Sequence, residues 1–175
     1  MTSTIKVQNI KHTNDTAAMT VATDGKVNFP QIITNPSIPC FHVYNDSTNF
    51  TSTSLAKWGV NEAIVNNGNY FDLGNDRFVA PVAGHYYMAW SALFRNVTSG
   101  FRVWWYKNGS IYTNPSDTAA SDIYVNISGQ IMATMTGVFN LSASEYIEVY
   151  YQSLGAGDIY GDDNTHNGWT GHLLG

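Results

Sequence analysis

From Pro39 to the end of the chain, apolar and polar residues alternate with a period close to two, and that period predicts strands rather than helices. Phe41, Val43 and Tyr44 open the first strand. Tyr86, Met88, Trp90 and Ala92 line one face of a second, while Tyr87, Ala89, Ser91 and Leu93 line the other, so both of its faces are largely apolar. Phe101 to Lys107 runs into Asn108-Gly109 and then Ser110-Ile111-Tyr112, the strongest hairpin signal present, because a type I′ turn needs positive φ at both central residues. In 129–141, Ile131, Ala133, Met135, Phe139 and Leu141 share a face with Gly129 and Gly137, and the opposite face, with Gln130, Thr134, Thr136 and Asn140, is mainly polar. Tyr146 to Tyr151 is again apolar or aromatic on both sides. Many strands with turn signals between them, and no amphipathic helix or internal repeat, predict an all-β, two-sheet antiparallel sandwich or jelly roll. A strand covered on both faces in such a sandwich needs a second neighbour outside its own core, which points to contacts between subunits.

Residues 1–38 read differently. Ile5 and Val7 alternate with polar neighbours, as do Met19 and Val21, and Thr23-Asp24-Gly25-Lys26 turns into Val27 and Phe29. This predicts a short N-terminal β arm ending in a hairpin, with too few apolar residues to fold alone. Pro30, Pro36 and Pro39 punctuate the connection that follows, so the division is an attachment arm and linker at 1–38 and a main domain at 39–175.

Composition narrows the partners. Charged residues make up 12% of the 175, against about 25% in typical domains, and aromatics reach 14%. So little charge on a water-exposed chain implies that other subunits cover part of its surface. A net charge of -5 with only 8 Lys and Arg offers no footprint for a phosphate backbone, which argues against nucleic acid and against anionic membranes. No apolar run is long enough to predict membrane insertion. The opening MTSTIKVQNIKHTNDTAAM lacks the apolar core of a signal peptide, so ordinary secretion is not expected, and sequons such as Asn96-Val97-Thr98 read as by-products of an Asn- and Thr-rich composition.

The segment Val60 to Trp90 holds Asn66, Phe71, Phe78, Gly84 and Tyr86 at successive spacings of five, seven, six and two. This spacing resembles the signature of the C-one-q globular head, a jelly-roll relative of tumour necrosis factor. Val60 stands in place of the pattern's leading Phe, and Met88 and Trp90 replace smaller aromatics, all keeping apolar volume. The ending Trp169-Thr170-Gly171-His172-Leu173-Leu174 is similar to the family's closing strand. The resemblance spans 39–175 and implies a homotrimer in which the sheet holding the first, last and 101–107-like strands faces the three-fold axis, with Trp104, Tyr106, Tyr150 and Tyr151 at the contact. Residues 1–30 resemble openings of tail-fibre and appendage proteins of marine bacteriophages, where such a piece docks onto other virion proteins.

Candidate chemistry is sparse. No nucleophile elbow, paired zinc histidines or phosphate loop is present, so an enzyme is not expected. Cys40 is the sole cysteine and reads as a small buried hydrophobe; Cys40 and His42 share a strand face but lack a third metal ligand. The loop 155–167 reads first as a solvated turn, and alternatively offers Asp158, Asp162, Asp163 and Asn164 as oxygen ligands for calcium. Tyr112 with Asn114, and Tyr160 beside Asp162, suit stacking on a sugar and binding its hydroxyls, or alternatively packing in the core. The combined expectation is a trimeric virion fibre or appendage tip that contacts a host-surface glycan. The alternatives are capsid decoration, or a bacterial adhesin or secreted extracellular module.

Overall fold

A computed structural model describes residues 9–11, 17–28, 38–46, 51–113, 122–126, 128–161 and 165–175. The chain divides into two compact units, Met1–Pro36 and Ser37–Gly175. In the first, β1 (Asn9–Lys11), β2 (Ala17–Val21) and β3 (Val27–Asn28) form a three-stranded antiparallel sheet. The β2–β3 hairpin sets Val21 opposite Val27, and its turn is closed by Gly25 at a φ of 84° and by Asp24, whose side chain accepts the Lys26 N–H at 3.1 Å. Phe29 lies outside the described residues.

The second unit carries two antiparallel sheets. Its strands are β4 (Cys40–Tyr44), β5 (Ala56–Lys57), β6 (Glu62–Asn66), β7 (Phe71–Asp72), β8 (Arg77–Val79), β9 (Gly84–Val97) and β10 (Phe101–Lys107). Then follow β11 (Ser110–Ile111), β12 (Asp122–Val125), β13 (Gly129–Leu141), β14 (Tyr146–Ser153), β15 (Asp158–Ile159) and β16 (Asn167–Leu173). One sheet runs β13-β9-β16-β4-β6, with β15 joined to β9; the other runs β11-β10-β14-β8-β7, with β12 on β10 and β5 on β14. The fold is therefore an all-β, two-sheet jelly roll, and the described residues contain no α-helix.

Period-two patterning becomes burial strand by strand. On β13, Ala133, Met135, Phe139 and Leu141 are buried while Thr134, Thr136 and Asn140 face outward. Asn108 and Gly109 adopt φ of 51° and 78°, joining β10 to β11 as the type I′ signal predicts. Between β9 and β10 the chain leaves one sheet for the other at Gly100, where φ is 105° and a Cβ would sit 2.0 Å from the Val125 carbonyl oxygen. Phe94 before the corner and Phe101 after it stack across the interior with ring centroids 3.6 Å apart.

That corner corrects one expectation. The first and last strands of the domain, β4 and β16, are hydrogen-bonded neighbours, but 101–107 belongs to the opposite sheet. Strands that alternate between two sheets along the chain carry no mark of sheet membership in their own patterns, so the three could not be grouped by periodicity.

The core is built from rings. Phe41 lies 5.1 Å from Phe71, 5.0 Å from Phe78 and 5.4 Å from Trp169, and Phe78 continues to Tyr86 at 5.2 Å. Two close approaches make room for this. A Cβ on Gly171 would come within 2.6 Å of the Phe41 ring, and one on Gly84 within 2.7 Å of Leu173. The space at Gly84 thus admits Leu173 and the chain end, whose Gly175 carbonyl accepts the His85 N–H at 2.9 Å. Truncation of Phe41 to Ala is expected to cost about 3–5 kcal/mol, because three neighbouring rings lose a partner at once and cannot collapse together. Urea unfolding of Phe41→Ala measures it; a loss below about 1 kcal/mol would mean that this cluster does not hold the sandwich.

Candidate binding surfaces

The outer face of the β13-β9-β16-β4 sheet is nearly free of charge. Register places Val138, Tyr87, His172 and Cys40 in one row across the four strands, and Thr136, Ala89, Thr170 and His42 in the next. Thr134, Ser91 and Gly168 follow in a third row, and Met132 with Leu93 in a fourth. Among the described residues, charged groups occur only at its margins, at Glu62 on β6 and at Arg95 on β9 with Asp158 opposite it on β15. Ala89, Ser91, Thr134, Gly168 and Thr170, with His42, line a shallow hollow of about 240 Å³ in the middle. Met132 and Val138 stand out from this face at 46% and 44% exposure.

The outer face of the second sheet is aromatic, and the chain itself largely covers it. Trp104 and Tyr106 point outward from β10 yet each keeps only 8% of its surface. Tyr106 stacks on Tyr150 at 4.1 Å, and Lys57 on β5 reaches over the Tyr150 ring at 5.8 Å to pair with Glu148, a carboxylate only 4% exposed. Burial pushes the phenols of Tyr106 and Tyr150 above their usual range. Tyr151, one residue on, points the opposite way into the core at 3% exposure. Of the residues assigned by sequence to a subunit contact, Tyr151 is therefore interior, and Trp104 and Tyr106 retain little area to offer a partner. The two-sided apolar pattern that suggested an external neighbour is met here within the chain.

The loop before β16 places Asp158 opposite Arg95. Its Oδ2 accepts from Arg95 Nη2 at 2.6 Å and Nε at 3.1 Å, and its Oδ1 accepts from Asn96 at 2.9 Å. A carboxylate engaged this fully, with a guanidinium attached, is a poor calcium ligand. Asp162, Asp163 and Asn164 lie outside the described residues, and among the described residues no group of three His, Cys, Asp or Glu is placed to hold a metal. Cys40 Sγ accepts from the Asn67 side-chain amide at 3.1 Å. Tyr160 has Arg95 over one ring face at 4.2 Å and His166 edge-on at 4.9 Å, so the ring offers less to a sugar than its position suggested. Tyr112 packs against Phe139 at 5.0 Å as a half-buried extension of the core, and Asn114 lies outside the described residues.

The signature residues prove structural. The Asn66 side-chain amide donates to the Phe71 carbonyl at 2.9 Å while its Oδ1 accepts the Phe71 N–H at 3.0 Å, closing the turn that delivers Phe71 to the core. Phe71 sits directly opposite Phe78 in the β7–β8 register, and the Tyr86 hydroxyl donates to the Val82 carbonyl at 2.8 Å. The spacing of five from Asn66 to Phe71 is the span of this closed turn, and the spacing of seven from Phe71 to Phe78 is the span of the β7–β8 hairpin.

Sequence reading missed two features: the uncharged rows, which appear only when four strands are set side by side, and Arg102. Arg102 is exposed on β10 with its guanidinium 5.0 Å from the centre of the Tyr124 ring on β12. The pairing of β10 with β12 brings these residues together from 22 positions apart.

No protein-family model matches the chain, and no curated protein sequence matches it. Solved structures share its fold. Murine APRIL at pH 5.0 superposes with a TM-score of 0.60 at 12% identity, covering 78% of this chain and 99% of that one. Murine APRIL at pH 8.0 gives 0.57 at 13%, with 78% and 99% covered. The globular domain of zebrafish complement 1qA protein gives 0.51 at 13%, with 79% and 98% covered. Residues of the second unit thus adopt a jelly roll of the tumour necrosis factor and C-one-q type, and identities this low speak to fold alone.

Two measurements check this picture of the charged sites. Asp76, half-buried and held at a φ of 48°, accepts the Val60 N–H at 2.7 Å, and burial raises its carboxyl above the usual range. A raised folded-state value means that its contribution to stability is full below the unfolded value and is lost as pH rises through the folded one. Asp76→Asn keeps the acceptor and removes the buried charge, so it should melt higher than wild type at pH 7 and lose that advantage near pH 3. Calcium at millimolar concentration is expected to leave the melting temperature of the wild-type chain unchanged, since Arg95 already neutralises Asp158; a clear rise would locate ligands among residues 162–164.

Proposed function

We propose that the protein is a homotrimeric, non-enzymatic binding module whose protomers meet through the uncharged outer face of the β13-β9-β16-β4 sheet. The observation that carries this reading is a four-strand surface with no Lys, Arg, Asp or Glu across its central rows and with Met132 and Val138 standing out from it. An exposed sheet face normally carries charge for solubility, whereas a face destined for burial against another subunit excludes it because desolvating an unpaired charge is costly. Likeness to jelly rolls of the tumour necrosis factor and C-one-q type supports a binding role, and the outer loops of three subunits acting together would turn weak contacts into useful avidity.

On the finer scale, the protein is read as a virion component, a fibre or appendage tip assembled in the host cytoplasm and contacting a glycan on the host surface. The leader supports this reading, because its opening resembles phage appendage proteins and it forms a compact unit of its own. Residues 1–30 are the part assigned to grip other virion proteins. Deleting them should leave a folded oligomer that no longer joins particles.

Light scattering on the purified chain tests the trimer. The expected mass is three times 19.3 kDa, and Ser91→Glu, which sets a carboxylate in the hollow, should shift it to the monomer while the sandwich stays folded. A wild-type monomer at tens of micromolar would overturn the reading.

A further inference from the structure

The basic side chains of the second unit are Lys57, Arg77, Arg95, Arg102 and Lys107, and four of them are ion-paired. Lys57 pairs with Glu148, Arg77 with Asp72, Arg95 with Asp158 and Lys107 with Glu145. Arg102 has no such partner among the described residues. It is exposed, and its guanidinium lies 5.0 Å from the centre of the Tyr124 ring, itself 53% exposed. A guanidinium resting against a ring has fewer orientations to lose, which lowers the ordering cost of binding a planar anion. Gln152 stands directly across β14 from Arg102, its Nε2 donating to the Thr53 carbonyl at 3.0 Å, so its amide is fixed with the oxygen end available. Trp104 follows Arg102 along the same face of β10.

We infer that Arg102, Tyr124 and Gln152 form a subsite for a carboxylated sugar on the outer face of the second sheet. Each group answers one part of such a ligand. The guanidinium fork matches a carboxylate in two parallel hydrogen bonds. The Tyr124 face not covered by Arg102 stacks on the apolar side of a sugar ring, and the Gln152 oxygen accepts from a hydroxyl. Arg102 and Tyr124 are both exposed side chains, as suits contact with a terminal residue of a glycan rather than an enclosed metabolite. Net charge bears on strength: a chain at -5 repels anions at long range, so recognition rests on the short-range contacts, and each site is weak, with an affinity on the order of millimolar. The inference deepens the host-glycan reading above by naming the sugar class and moving the site from the Tyr112 and Tyr160 loops to β10 and β12. It does not need the trimer, because all three residues belong to one protomer.

The test is an NMR titration of the isotope-labelled full chain with 3′-sialyllactose, with lactose and glutamate as separate probes. Saturable shifts at the Trp104 indole and the Tyr124 ring with sialyllactose, and little response to lactose or glutamate, are expected. Arg102→Gln should weaken binding at least about tenfold, and Arg102→Lys nearly as much, since a lysine keeps the charge but not the fork. Tyr124→Ala should weaken it several-fold, and Tyr160→Ala should leave it unchanged. All four substitutions are at exposed or half-buried side chains, and an unchanged melting temperature confirms folding. Equal binding of lactose, equal binding of glutamate, or full affinity in Arg102→Gln each overturns the proposal. Light scattering on the same samples separates this from the trimer: a monomer that still binds sialyllactose through Arg102 sinks the assembly reading and leaves the subsite standing.

Discussion

The stack of Phe41, Phe71, Phe78 and Trp169 is the contact on which the rest of this sandwich depends. These rings come from the first strand, two short hairpin strands and the last strand of the domain, and from both sheets. Each pair is worth about 0.5–1.5 kcal/mol beyond the area it buries, but the larger effect is geometric. Edge-to-face contacts tolerate few alternative positions, so the cluster holds β4 against β16 and brings β7 and β8 across from the other sheet. Glycines at 84 and 171 follow from it, because the rings and the chain end occupy the volume that their side chains would fill.

With the core made of rings, charge is confined to the periphery, where it appears in pairs. Lys57 with Glu148 shows the consequence: a carboxylate almost fully removed from water is tolerable because an ammonium, reaching over the Tyr150 ring, pairs with it. The two outer faces then diverge. One is polar but uncharged, with small residues at its centre; the other is aromatic and largely sealed by its own chain, apart from Arg102 and Tyr124 at the β12 edge. Different partners suit them, a second copy of the protein for the first and a small anionic ligand for the second.

Much of the architecture was legible from the chain alone. The inward positions on β9 and β13, the Asn108-Gly109 turn and the ring spacing from Asn66 to Tyr86 all follow from local rules: alternation of side chains, positive φ, and the length of a closed turn. What went astray concerned neighbours. Tyr150 and Tyr151 look alike in sequence, yet one faces outward and the other inward. The aromatics of 101–106 suggested an outside partner and found their cover within the chain. Asp158 looked like a cation ligand until Arg95 was placed opposite it.

By itself, then, the sequence determined that the domain is all-β, which residues of each strand turn inward and where its tightest turns lie, because these depend on residues a few positions apart. Tertiary structure alone decided which sheet each strand joins, which outward face is nearly free of charge, and that Arg102 meets Tyr124 with no acidic partner among the described residues. Those outcomes depend on strands pairing across tens of residues, and the pairing is settled by how the whole set of rings packs together, a property that no single segment carries.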